Sequence, residues 1–297
     1  LAMVDEQTAT ARLFRWAAQF VEHNRERPFY LLIDSFAPHE PWQAPEEYYR
    51  LYANPNYRGI THLSARYGPA DGYSPEEIED INKAVQASGI PVHSIIFGGW
   101  KAPLTSGDDK VGEQGVADLK AGLKGAKAVG ADGLLLVPGV VNKETSYADA
   151  YKRSQKRIKT VVPLAKELGV RINIEEVWNK FLLSPLEFAR YVDEFKSPWV
   201  RAYFDVANVI DFGWPEHWIH TLGNRIEKVH IKDFKRQDRS WPALGEGDAD
   251  FPTVMKALNE IGYSGWFTCE LPGGDEAYLK EVARRVDRII AGENPAA

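Results

Sequence analysis

Residues of metal-binding type end four short, apolar or alternating stretches in the second half of the chain. RINIEE ends on Glu175 and Glu176, YFDVAN carries Asp205, KVHIKDF carries His230, and WFTCEL carries Glu270. Any one of them alone would be read as a solvated loop residue or a packed strand histidine. A carboxylate at the end of a buried strand is costly unless something pairs with it. Because the pattern recurs, it favours an oxygen and nitrogen site for a hard or borderline divalent cation.

The elements that must position these residues alternate between strand and helix from residue 74 onward. Such alternation implies parallel strands joined by right-handed crossovers. No Gly-rich nucleotide loop follows any of the strands, and the candidate ligands fall at the C-terminal ends of different strands, where barrel active sites are built. A TIM (β/α)8-type barrel is therefore favoured over an open doubly wound sheet. The predicted strands cover 91–97, 133–138, 171–176, 200–207, 226–233 and 265–271.

The N-terminal part has a different character. The stretch FYLLIDSFAPHEPWQAPEEYYRLYANPNYRG, within residues 6–80, resembles an internal piece of the sulfatase family. By that resemblance, His39 would contact sulfate. The chain lacks the C/S-x-P-S-R nucleophile stretch of that family and its N-terminal metal-binding aspartates, so we interpret the segment as a fragment without its chemistry and His39 as an ordinary loop residue. The predicted domains are 1–72, the sulfatase-like fragment, and 73–297, the barrel.

Most of the remaining chain, from Tyr73 to Gly292, resembles the xylose-isomerase-like sugar isomerase/epimerase family. The matching stretches, in order, are VHSIIFGGW, LLLVPGVV, INIEEVWNKFLLSP, YFDVANVI, KVHIKDF, LGEGDADF and GYSGWFTCEL. The resemblance implies an isomerase or epimerase that acts on a sugar or sugar phosphate with one divalent ion, Mn²⁺, Mg²⁺ or similar. Such an ion can polarise a sugar carbonyl, so that carboxylates can move a proton at the neighbouring carbon.

The resemblance also implies roles for individual residues. Glu175, Asp205, His230 and Glu270 match the metal ligands, and Glu175 and Glu270 would also be the catalytic acid and base. Family members commonly carry Asn after the first Glu, whereas this chain carries Glu176. The choice between Glu175 and Glu176 as ligand therefore stays open.

Four more residues are predicted to bind substrate: His93, Asn208, Lys232 and Trp178. Three of them have an alternative role. His93 could be a half-buried strand residue, Lys232 could orient His230 or lie on the surface, and Trp178 could belong to the core. Asn208 stands where sugar epimerases often carry His, which weakens the match to an epimerase of free ketoses.

Composition limits the function classes. The net charge of −6 and a pI near 5.7 argue against a nucleic-acid partner, and the single cysteine excludes a cysteine zinc cluster. No apolar run reaches the roughly 18 residues of a membrane span, and the first residues lack a signal-peptide layout, so a cytoplasmic protein is expected. A sugar isomerase is favoured, with a catalytically idle barrel and an endonuclease-type metal hydrolase as alternatives. Whether the chain forms a homo-oligomer stays open.

The first units of the barrel are expected to be irregular or incomplete. A closed barrel of this type has eight strands, more than the family-like region supplies. The sulfatase-like piece stands where the first strands would be, and its FYLLIDSF stretch, 29–36, is predicted to dock beside the 91–97 strand. Residues 54–72 are predicted to be loop. A wider pocket and impaired catalysis are the expected consequences.

Overall fold

The computed structural model describes residues 63–64, 75–89 and 91–296, which form a parallel sheet flanked by helices. Hydrogen-bonded neighbours follow chain order from the first strand to the last, and every pair is parallel. The strands are β1 (Leu63–Ser64), β2 (Ser94–Ile96), β3 (Gly133–Leu136), β4 (Arg171–Ile174), β5 (Val200–Asp205), β6 (Ile226–Ile231) and β7 (Phe267–Cys269).

Helices connect successive strands, as parallel pairing requires. None of the helices in the described ranges is long and apolar enough to cross a lipid bilayer. The helices are α1 (Pro75–Ser88), α2 (Asp109–Ala128), α3 (Tyr147–Lys159), α4 (Val162–Leu168), α5 (Pro185–Asp193), α6 (Pro215–Leu222), α7 (Phe251–Glu260) and α8 (Glu276–Ile290).

Local sequence sets where these helices begin and end. Asp108 caps α2, since its side chain accepts hydrogen bonds from the backbone N–H groups of Lys110 and Val111. The short helix α4 ends at Gly169, whose φ of 70° lies in the left-handed region that glycine adopts without a Cβ clash. The chain can therefore turn directly into β4.

Side chains alternate along the strands between an apolar outer face and a polar inner face. On β5, Ala202 and Phe204 belong to the buried apolar core, whereas Tyr203 and Asp205 lie on the opposite face of the strand. On β6, His230 is the in-register partner of Asp205, so the two side chains share a face. Because side chains two residues apart lie on the same face of a strand, the polar residues line the inside of the curved sheet.

Side chains link the segment before β2 to β7 across the inside of the sheet. His93, which precedes β2, has its Nε2 atom 3.1 Å from the hydroxyl oxygen of Thr268 on β7. The His93 ring also stacks on Trp266, with 5.0 Å between centroids. Within the described residues, no backbone ladder joins β7 to β1. The prediction of an irregular, incomplete barrel is therefore confirmed, and a wider pocket at this seam stays a prediction.

All predicted strands from 91 onward are present, but the neighbour of β2 was predicted wrongly. Leu63 pairs with Ile95, and Ser64 pairs with Ile96, so this edge of β2 is taken by residues that were predicted to be loop. A strand of only two residues shows no periodic pattern in the sequence, which explains why it was predicted to be loop. The segment 29–36 and His39 lie outside the described residues, as does most of the sulfatase-like stretch 6–80. The sulfatase resemblance and the role of His39 stay predictions.

Candidate metal centre

Four side chains converge at the carboxyl ends of neighbouring strands. Glu175 directly follows β4, Asp205 ends β5, His230 lies near the end of β6, and Glu270 directly follows β7. One ligand atom from each lies within 4.8 Å of those from the other three. The carboxyl ends of parallel strands meet at one rim, where barrel enzymes place their sites. The structure thus brings together the set that the strand-end pattern predicted.

His230 lies at the middle of this group. Its Nδ1 atom is 2.8 Å from Oε1 of Glu175, 3.6 Å from Oε2 of Glu270 and 3.7 Å from Oδ2 of Asp205. Its side chain is 1% exposed. One imidazole nitrogen therefore faces an oxygen of each of the three carboxylates.

Asp205 is held by the start of the loop that follows its strand. Its Oδ1 atom accepts hydrogen bonds of 2.8 Å from the backbone N–H groups of Ala207 and Asn208. The other oxygen, Oδ2, has no hydrogen-bond partner and is 3.2 Å from the Lys232 ammonium. The loop therefore turns one oxygen of a buried carboxylate into the centre.

The pKa values of the two glutamates are shifted in opposite directions. Burial raises the pKa of Glu175 to about 7, against the lowering effect of His230. Burial would also raise the pKa of Glu270, but the charges of Lys232 and His230 outweigh it and hold the pKa at about 2. The pKa of His230 is raised, because the effect of burial, which lowers it, is outweighed by Glu175, Glu270 and Asp205.

The donor set fits a divalent cation. Three carboxylates and one imidazole are ligands that Mn²⁺ and similar divalent ions accept. Oδ2 of buried Asp205 accepts no hydrogen bond and lies 3.7 Å from Nδ1 of His230, so such an ion could bind it in place of its ion-pair partner Lys232. Among the described residues, this is the single group of metal-ligand side chains within reach of one another. It contains Glu175 and excludes Glu176, so the geometry favours Glu175 in the open choice between them.

Glu176 has an unusual environment of its own. It is 1% exposed, and neither of its carboxyl oxygens has a hydrogen-bond partner. Burial, followed by the charges of Asp205 and Glu175, raises its pKa well above 4.5. The sequence showed two adjacent glutamates but carried no signal that both would be buried.

Two of the predicted substrate-binding residues lie at the mouth of the centre. The Lys232 ammonium is 2.6 Å from Oε2 of Glu270 and lies 5.0 Å from the ring centroid of Trp241. Trp178 is 40% exposed, and its ring lies 5.0 Å from that of Trp241. Trp241, which sequence reasoning missed, therefore extends an aromatic rim beside the carboxylates.

The other two predicted substrate-binding residues are buried and occupied. His93 is 3% exposed and contacts Thr268 and Trp266 at the seam of the sheet. The Asn208 side chain donates to the backbone carbonyl of Glu176 over 2.9 Å. Both residues therefore stabilise the sheet and its loops. A direct contact with substrate stays a prediction for both.

Asp233 holds the loop between β6 and α7. Its carboxylate accepts hydrogen bonds from the backbone N–H groups of Phe234, Gly245, Gly247 and Ala249. The sequence feature that could have indicated this role is Asp233 followed by the glycine-rich GEGDAD stretch. Glycines let backbone N–H groups approach a carboxylate closely.

Comparisons with known proteins agree with this architecture. Residues 52–289 match the family model described as xylose isomerase-like TIM barrel. The chain is 25% identical over 201 residues to L-ribulose-5-phosphate 3-epimerase from Escherichia coli O1:K1, covering 67% of this chain and 71% of that protein. The family match begins inside the segment that resembles a sulfatase.

Solved structures of sugar epimerases share the fold. A D-tagatose 3-epimerase-like protein superposes with a TM-score of 0.66 at 20% identity, over 73% of this chain and 85% of that one. D-psicose 3-epimerase, solved in the presence of D-fructose, superposes with a TM-score of 0.63 at 21% identity, over 84% of each chain. The parallel sheet, the strand-end residues and a family match over most of the chain lead to one conclusion: the chain belongs to the xylose isomerase-like TIM barrel family.

Proposed function

We propose that the protein is a divalent-metal-dependent sugar or sugar-phosphate epimerase that moves a proton next to a carbonyl. The observation that carries the proposal is the convergence of ligand atoms from four strand ends within 4.8 Å of one another. In this group Oε1 of Glu175 and Oε2 of Glu270 lie 2.8 and 3.6 Å from Nδ1 of His230. Curated relatives at about 25% identity include L-ribulose-5-phosphate 3-epimerases, which supports the reaction class.

Glu175, Asp205, His230 and Glu270 would hold the ion. When bound, it would supply Lewis-acid polarisation of the substrate carbonyl, which acidifies the neighbouring C–H group. The protein's own contribution is to fix the four side chains on strand ends. The backbone N–H groups of Ala207 and Asn208 orient Asp205, as described above.

Two carboxylates in different environments can divide the acid and base roles. Glu270, which is ionised beside Lys232 and His230 in the metal-free centre, would accept the proton from carbon. Glu175, whose carboxyl pKa is raised by burial in the metal-free centre, would return a proton to the same carbon. Proton removal by one residue and proton return by the other inverts the carbon when the two act from opposite faces of the substrate.

The residues at the mouth would bind the sugar. Lys232 offers an ammonium donor for hydroxyl oxygens, and the exposed faces of Trp178 and Trp241 offer apolar surface for the C–H face of a sugar ring. Asn208 would support Trp178, whose indole N–H donates to the backbone carbonyl of Asn208 over 2.9 Å. His93 would hold the sheet through Thr268 and Trp266.

The test is epimer formation from a panel of ketoses and ketose phosphates with added Mn²⁺, followed by NMR. We expect one substrate class to give its 3-epimer and a chelator to stop the reaction. Metal analysis of the purified protein separates the alternatives, because one divalent ion per chain supports the epimerase. Several zinc ions would indicate an endonuclease-type hydrolase, and no bound ion with no turnover would indicate an idle barrel.

A further inference from the structure

Lys232 binds the carboxylate oxygens that a metal ion would need. Its Nζ atom is 2.6 Å from Oε2 of Glu270 and 3.2 Å from Oδ2 of Asp205. These are the same two oxygens that lie 3.6 and 3.7 Å from Nδ1 of His230. The ammonium is therefore an ion-pair partner of two of the three carboxylates of the centre and offsets one of their negative charges.

The charge balance explains why an ammonium is retained there. Glu175, Asp205 and Glu270 have oxygens within 4.8 Å of one ligand atom of His230 and of one another. Like charges at such distances repel strongly in a partly buried site. The Lys232 side chain is only 13% exposed, so its own charge also needs partners. Each side of the contact thus compensates the other.

Lys232 also has a second partner that carries no charge. The face of Trp241 lies 5.0 Å from its Nζ atom, within the range of a cation–π interaction. Trp241 is 49% exposed and lies at the mouth. An ammonium that left the carboxylates could therefore remain beside this ring and in contact with water.

We infer that Lys232 is a tethered cation that competes with the divalent ion for Asp205 and Glu270. The inference rests on the proposed function for the metal ion itself. Binding of the ion displaces the ammonium from both carboxylates, since two cations cannot share the same oxygens without repulsion. Lys232 thus keeps the folded chain stable without metal and lowers its affinity for metal.

The test is Mn²⁺ affinity by titration calorimetry at one pH and one ionic strength. Lys232→Met removes the charge and keeps much of the side-chain length. Because the ion then has no competing ammonium to displace, we expect the dissociation constant for Mn²⁺ to fall on the order of tenfold or more, which corresponds to about 1.4 kcal/mol or more. Lys232→Arg keeps the charge and should bind about as weakly as the wild type. Lys120→Met, on the exposed face of α2, is the matched control and should behave as the wild type.

Thermal unfolding gives a readout that does not depend on turnover. Without metal, Lys232→Met should unfold at a lower temperature than the wild type, because its carboxylates have lost their counter-ion. Saturating Mn²⁺ should raise its Tm by more than it raises the wild-type Tm, since tighter binding to the folded state stabilises more. If Lys232→Met does not fold, Lys232→Gln is measured in the same way.

The outcomes separate this inference from the proposed function. If the wild type binds Mn²⁺ and Lys232→Met binds it equally or more weakly, Lys232 is not a competitor, while the metal centre stands. If no variant binds Mn²⁺, the proposed function itself is contradicted and the inference falls with it.

Discussion

Glu175 and Glu270 are the same residue type, yet their surroundings set opposite acid strengths. Glu175 is 4% exposed, and its pKa rises to about 7 through burial. The Glu270 side chain is 46% exposed and lies against Lys232, and its pKa falls to about 2. Position alone therefore gives the two glutamates different acid strengths.

Buried His93 should make stability depend on pH. Burial, with a smaller contribution from Lys228, lowers the pKa of His93 to about 4 from 6.5. The unfolded chain therefore binds a proton between these values that the folded chain does not bind, so stability falls as the pH is lowered through this window. From pH 7.5 to pH 5, the loss from this residue is about 2 kcal/mol.

Urea unfolding at both pH values measures this effect. We expect His93→Gln to lose less stability than the wild type on going from pH 7.5 to pH 5, although other titrating groups contribute to both. His217→Gln, an exposed histidine on α6, should keep the wild-type pH dependence. Equal pH dependence in the wild type and in His93→Gln would show that the lowered pKa is wrong.

The sequence predicted the residue types of the centre because each ligand interrupts an apolar strand at its end. Register pairs such as Asp205 with His230 then follow from parallel pairing. The neighbours that tune those ligands could not be predicted. The contact between Lys232 and Glu270 and the burial of Glu176 depend on loops from different strands, which no local pattern relates.

At the scale of elements, the loop between β6 and α7 depends on one carboxylate. Asp233 is 1% exposed and accepts its four hydrogen bonds from backbone N–H groups. Hydrogen bonds to a charged acceptor contribute more than neutral ones, and their loss leaves buried donors unsatisfied. Asp233→Ala should lower the free energy of unfolding by about 3 kcal/mol or more.

Asp248 offers a control within the same loop. It accepts one hydrogen bond from the backbone N–H of Arg236, over 2.7 Å, and its side chain is 36% exposed. Asp248→Ala should therefore lower the free energy of unfolding by only about 1 kcal/mol. If urea unfolding shows equal losses for the two variants, Asp233 is not the main support of the loop.

The strands and helices after residue 91 were predictable because period-two strands and capped helices follow one another without interruption. The strand Leu63–Ser64 was not, because two residues bear no periodicity. Its place beside β2 is set by the free edge of a parallel strand, which is a property of the sheet and not of the local sequence.

At the scale of the whole molecule, we expect the backbone amides of different strands to be protected unequally from hydrogen exchange. Strands β4 and β5 each have neighbours on both sides, whereas β7 has one neighbour among the described strands. We expect hydrogen exchange measured by mass spectrometry to be slower in a peptide covering 200–205 than in one covering 267–269. Edge amides open more readily, since half of them have no partner strand.

The incomplete barrel is tested by the same measurement. The side-chain contact between His93, which precedes β2, and Thr268 on β7 protects no backbone amide of β7. Protection in β7 equal to that in β5 would show that a further strand covers this edge and that the barrel is closed.

The central claim is that Glu175 and Glu270 exchange a substrate proton at the metal centre, and solvent deuterium incorporation tests it most directly. NMR would follow deuterium at the carbon next to the carbonyl of the accepted sugar in D₂O with Mn²⁺. We predict incorporation by the wild type and by Glu113→Gln, an exposed carboxylate on α2, and its loss in folded Glu175→Gln and Glu270→Gln. Undiminished incorporation in either variant would contradict the proton-transfer role of that residue.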